Sequence, residues 1–165
     1  MINVNSFGVA PEAQIYFLES DGQKHRQIKD VINSSSLFVY GEGIMGEVKV
    51  HRKENDTPLR LLNWVNEYGE LGGLRCTDDT SIYIIRDEHL MFCKAKDIRV
   101  GDHIPLRYGF KISIDSKVTS NSIVPYVDEY IYCFENISRS DTIIINDVVV
   151  ELEGAKHDNS RMAAD

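Results

Sequence analysis

Shifting the chain by 67 residues lays Ile15-Tyr16-Phe17-Leu18 on Ile82-Tyr83-Ile84-Ile85 and, without a gap, Ile28-Lys29-Asp30-Val31 on Ala95-Lys96-Asp97-Ile98. No other feature constrains the fold as strongly, because two copies of one supersecondary unit must follow similar backbone courses. Each copy reads as a β-branched and aromatic run, a turn at Asp21-Gly22 or Asp87-Glu88, a second run and a short helical turn. Taken alone, the repeat fits either duplication of one unit or convergent hairpin chemistry.

The same alternating pattern extends over the rest of the chain. It predicts strands over 14–18, 37–40, 46–51, 81–85, 90–93, 102–106, 130–134 and 142–150, with short helical turns over 27–32 and 94–98. The segment 59–67 reads as an amphipathic helical turn or as a strand leading into Tyr68-Gly69, and we take it as a strand. The expected class is all-β.

The 165 residues are 42% hydrophobic and 27% charged, which fits one soluble folded domain. A chain of this length buries roughly two-thirds of its unfolded surface and needs no metal or disulfide staple. No cofactor is expected. Eighteen basic against 26 acidic residues give a net charge of −8 with no basic cluster, which argues against a nucleic-acid partner. Met1-Ile2-Asn3-Val4-Asn5 has neither the basic start nor the apolar run of a signal peptide, and no run is long enough for a membrane helix. We therefore expect a soluble protein with no membrane partner. Cys76, Cys93 and Cys133 are odd in number and widely spaced, as expected of reduced thiols in a reducing compartment. His25, His51, His89, His103 and His157 show no metal-ligand spacing.

The second repeat continues as Ala95-Lys96-Asp97-Ile98-Arg99-Val100-Gly101-Asp102, which resembles the A-x-(D/E)-(L/I)-x-x-G-D signature of the Hint family shared by inteins and hedgehog processing modules. Further blocks fall into the family's order. Gly8-Val9-Ala10-Pro11-Glu12-Ala13-Gln14-Ile15 is similar to an intein start, and Thr77-Asp78-Asp79-Thr80 to the T-x-x-H block. Tyr130–Phe134 together with Ile145–Leu152 resembles the closing pair of strands. The resemblance covers roughly residues 8–152. It implies a Hint-like horseshoe with a pseudo-two-fold internal repeat, flanked by an exposed N-terminal arm (1–7) and a flexible polar tail (153–165).

The resemblance also says where the chemistry belongs. Splicing begins when a thiol or hydroxyl on the first residue attacks the preceding carbonyl, but that position is Gly8. The block histidine that would assist is Thr80. Cys133 stands where many inteins place an aspartate, and Glu151-Leu152 stands in place of the terminal His-Asn. Four catalytic positions are replaced together while glycines, turns and core aliphatics persist, which points to a naturally non-catalytic domain. Cys76 is the best residual nucleophile. Cys93 reads as a buried thiol, Asp78-Asp79 as a turn or cap, and Glu12 and Asp102 do not alter that reading.

The expected function is a structural or protein-interaction module, not an enzyme. From the habits of splicing-inactive relatives it would sit in a larger assembly such as a bacteriophage particle, making protein contacts through residues 1–7 and 153–165, with an oligomer within that assembly. A divergent self-processing domain using Cys76 or Cys133 is the alternative. An intein bearing a homing endonuclease is rejected, because only some 16 residues separate Leu106 from Ile123.

Overall fold

The chain runs β1 (Gln14–Glu19), β2 (Gly22–Gln27), β3 (Leu37–Tyr40), β4 (Met45–Glu54), β5 (Arg60–Val65), β6 (Leu71–Cys76), β7 (Ser81–Arg86), β8 (His89–Lys94), β9 (Leu106–Tyr108), β10 (Lys111–Ser113), β11 (Lys117–Ile123), β12 (Tyr130–Ser138), β13 (Thr142–Ile145) and β14 (Val148–Glu151). This computed structural model describes residues 7–19, 22–31, 37–40, 45–108, 111–138 and 141–152. Among the described residues, the helical elements are 3-10 turns at Ile28–Asp30 and Ala95–Asp97. None is long and apolar enough to cross a membrane. All strand pairs among the described residues are antiparallel. The larger sheet follows the order β10-β9-β14-β13-β1-β3-β4-β12, with β2 on β1 and β7 joining β14 to β8, while β11-β5-β6 forms a second sheet.

The 67-residue shift is a physical symmetry. It carries β1, β2 and the first 3-10 turn onto β7, β8 and the second, residue for residue. Strand register is preserved: Gln14 pairs with Gln27 as Ser81 pairs with Lys94. So are the bonds that close each unit, since Ile28 N–H donates to Ala13 O and Ala95 N–H to Thr80 O, both at 2.7 Å. The copies meet where Val9 bridges Cys76. There Ala10 N–H donates to Arg75 O and Thr77 N–H to Gly8 O, two bonds that the same shift exchanges. A local two-fold axis therefore passes between Val9 and Cys76, and β13 and β14 complete the arrangement by pairing with β1 and β7 respectively.

Core residues lie along this axis. Ile15 and Ile82 occupy equivalent positions and are both fully buried. Ile143, Ile144, Ile145, Val148, Val149 and Val150 are buried on consecutive positions. An unbroken apolar run is what a strand covered on both faces requires, and each such side chain contributes about 1.5–3 kcal/mol. The predicted strand over 142–150 is in fact a hairpin. Asn146 and Asp147 turn it with φ of 50° and 68°, the left-handed conformation that short polar side chains tolerate.

Three further expectations are corrected. The strand predicted over 102–106 forms only from Leu106; Asp102 folds its carboxylate onto Arg99 N–H, His103 makes isolated bridges, and Pro105 has no N–H for a ladder. Phe7, assigned to the exposed arm, is a core residue at 1% exposure whose ring lies 5.9 Å from that of Phe134. Instead of pairing with β14, β12 pairs with β4. The other arm residues, 1–6, and the tail, 153–165, lie outside the described residues, as does His157. The ambiguous segment 59–67 is strand β5, flanked by β6 and β11, which the sequence pattern did not predict.

Candidate functional site

The two-fold junction brings together two of the positions singled out from the sequence, Gly8 and Thr80. Gly8 is held at both backbone groups by Thr77: its N–H donates to Thr77 Oγ1 at 3.0 Å and its C=O accepts from Thr77 N–H at 2.9 Å. Thr77 Oγ1 donates to Asp79 Oδ1 at 2.7 Å, so the Thr80 hydroxyl, 3.1 Å away, donates to it. Thr77 thereby uses its one proton and both lone pairs. Thr80 is fully buried, with its N–H on Thr77 O and its C=O receiving Ala95 N–H. The structure thus brings Gly8, Thr77, Asp79 and Thr80 into one bonded cluster.

Electrostatics around this cluster are quiet. Cys76 adjoins it, yet the thiol is fully buried, and that burial pushes it up to about 12. A thiol so placed is not a thiolate at neutral pH. Asp78 is tied to Arg60 Nε at 2.9 Å. Neither Thr77 nor Thr80 carries a group that titrates near neutrality, so the cluster holds no general acid of the imidazole kind. A cleft of about 410 Å³ lined by Thr57, Pro58, Thr77, Asp78, Asp79 and Ile123 opens beside it.

Space is equally restrictive at Gly8. A Cβ on this residue would lie 2.6 Å from Ile131 Cδ1, 3.0 Å from Cγ1 and 3.1 Å from Cβ. The volume that a nucleophilic side chain would enter is occupied by the β12 side chain next to Tyr132, which clamps Val9 by reciprocal backbone bonds of 2.9 and 3.0 Å. Sequence reasoning missed both Ile131 and Thr77. Thr77 left a signal as the threonine that opens its block, whereas Ile131 left none, because only the bridge between Val9 and Tyr132 sets it over Gly8.

The remaining predicted positions are not bonded to this cluster. Cys133 is buried on β12 and its Sγ donates to His51 O at 3.7 Å; burial raises its pKa. Glu151 pairs with Thr142, and Leu152 is a fully buried core residue whose N–H donates to Asp141 O. Cys93 is half-buried, against the expectation of a buried thiol, because β8 presents one partly open face and Cys93 lies beside Arg86 at 3.9 Å. Among the described residues, no group of three His, Cys, Asp or Glu side chains is arranged to hold a metal ion.

The G-D signature has a structural duty. Gly101, at φ 98°, makes the turn and donates to Val118 O. Asp102 then receives Arg86 through two bonds of 2.9 and 2.7 Å and Arg99 N–H at 2.8 Å. Burial alone would raise the Asp102 pKa; the Arg86 and Arg99 bonds outweigh it and leave the pKa below the ordinary value.

A duplicated hairpin unit arranged about a central two-fold, with both units closed by one long antiparallel sheet, is the Hint architecture. Solved inteins share it. The DnaB intein from Synechocystis superposes with a TM-score of 0.69 at 17% identity, covering 90% of this chain and 99% of that one. An intein from a hyperthermophile gives 0.72 at 13% identity, covering 89% and 100%. In sequence, the DNA polymerase II large subunit of Methanoculleus marisnigri is 24% identical over 146 residues, 88% of this chain. The chain spans about a tenth of the length of that curated relative. No family model matches.

Proposed function

We propose that this chain is a Hint-fold module that does not process itself and serves as a structural or protein-interaction component of a larger assembly. The observation that carries the reading is Gly8 itself, which offers no nucleophile and beside which Ile131 occupies the space, so that a side chain enters only if Ile131 shifts. Thr77 supports it, since the hydroxyl nearest the Phe7–Gly8 peptide is fully engaged in holding that peptide. An acyl shift needs a free nucleophile, and a buried Cys76 thiol pushed up to about 12 does not supply one. The scaffold is retained because the buried residues at the two-fold, Val9, Ile15, Cys76 and Ile82, and those of the β13–β14 hairpin stabilise it independently of chemistry. A bacteriophage particle is the setting we propose, on the resemblance stated above.

The test is the intact mass of the purified chain, followed for days at neutral pH with and without added thiol. The mass should not change. A product cut at Phe7 or near Val150 that disappears with Cys76→Ala would establish the self-processing alternative. Co-purification of a tagged chain with assembled particles, and its loss on deleting residues 1–6 and 154–165, tests the interaction role.

A further inference from the structure

We propose that β10 is a docking edge for a second copy of this chain, the two β10 strands pairing antiparallel about Ser113. Strand β10 ends the larger sheet, and its one described strand neighbour is β9. The direction of its free hydrogen-bonding groups follows from the ladder. Arg107 N–H donates to Asp147 O, so the backbone of Arg107 faces β14. Ile112, directly opposite Arg107, therefore turns its N–H and C=O away from β9, whereas Lys111 and Ser113 turn theirs toward it. Ile114 and Asp115 follow the strand without a ladder partner in the single copy; in the proposed dimer β10 lengthens through them, and the alternation then adds Ile114 to the outward groups.

An added strand must match outward groups with outward groups. For a second copy of the strand, three registers satisfy this: Ile112 opposite its own copy, Ile114 opposite its own copy, or Ile112 opposite Ile114. Only the last places Lys111 opposite Asp115 of the other copy, twice per dimer by symmetry. Lys111, Ile112, Ile114 and Asp115 are all exposed and Ser113 is buried. The charges thus select the register in which the isoleucines also meet. Those two isoleucines, at 55% and 56% exposure, edge an apolar groove of about 230 Å³ with Tyr83, Ile85, Leu90 and Pro105. Opposite residues in an antiparallel pair lie on one face, so four isoleucines would cluster there and cover apolar surface that one copy leaves in water.

Sedimentation of the full chain over a concentration series reads this directly. The chain should be a reversible dimer. Lys111→Asp or Asp115→Lys each turn two attractive pairs into two repulsive ones, and each should weaken the dimer at least about tenfold. The double reversal should restore it. Ile112→Pro removes an outward N–H for which no partner is found among the described residues and should abolish the dimer with an unchanged circular dichroism spectrum. A chain that stays monomeric up to about 0.5 mM overturns the proposal, as it would if the edge served a different protein. Charge reversals that leave the dimer intact also overturn it, because they would place the interface or its register elsewhere.

Discussion

Adding one methyl group at Gly8 tests whether the nucleophile position is structurally closed. In Gly8→Ala the new Cβ meets Ile131 at 2.6, 3.0 and 3.1 Å; a rotamer change moves Cδ1 and Cγ1 but leaves the Cβ contact at 3.1 Å. Overpacking of this kind costs about 1–3 kcal/mol. Loss of glycine freedom in the unfolded chain offsets about 0.4–1 kcal/mol, because the Gly8 φ is one that alanine accepts. A net loss of about 1–2 kcal/mol is expected, which for a domain of this size lowers Tm by about 2–8 °C. Ile131→Val removes the Cδ1 atom at 2.6 Å, so the double variant should lose about 1 kcal/mol less than the two single variants summed. Calorimetry and urea unfolding of the four proteins give this coupling. Additive losses, or a Gly8→Ala Tm equal to that of the parent, would mean that the space is open and that the glycine is a replaceable relic.

Introducing a thiol and an imidazole, as Gly8→Cys with Thr80→His, should lower stability without producing a cut at Phe7 by mass spectrometry, since Ile131 still occupies the space that the new side chain would enter. A thiol reagent at pH 8 should modify half-buried Cys93 first and reach Cys76 and Cys133 only at the rate of unfolding; equal rates would contradict the burial described. Asp102→Asn should cost about 1–3 kcal/mol at neutral pH. Because the folded pKa of Asp102 is depressed, its contribution is complete above the unfolded value and fades as pH falls through the folded one. Parent and variant should therefore converge in acid, and a constant difference down to acid would refute the charge argument. Glu88→Gly should raise stability by about 0.5–1 kcal/mol in urea unfolding, because Glu88 sits at φ 67° in the β7–β8 turn where glycine is unstrained.

The hairpin units were legible in the chain because their determinants are local. Alternation in Ile15-Tyr16-Phe17 and Ile82-Tyr83-Ile84, turn residues between the runs, and the Lys-Asp pair of each 3-10 turn all act within about 20 residues, and the gapless shift survived into matching registers. That Gly8 carries no attacking group and Thr80 none that titrates near neutrality was equally readable, since residue type alone decides it. Other features needed the third dimension. Strand β6 carries two glycines, β10 has three residues and β11 is mostly polar, and each forms because a neighbouring strand supplies its ladder. Phe7 is core and not arm because Phe134, distant in sequence, covers it. Likewise Ile131 meets Gly8 only because β12 bridges Val9, and Thr77 gains Gly8 as its third partner only because Val9 bridges Cys76. Sequence carries local conformation and the chemistry of each side chain; which side chains meet is set by packing between segments that loop closure brings together, and no periodicity records it.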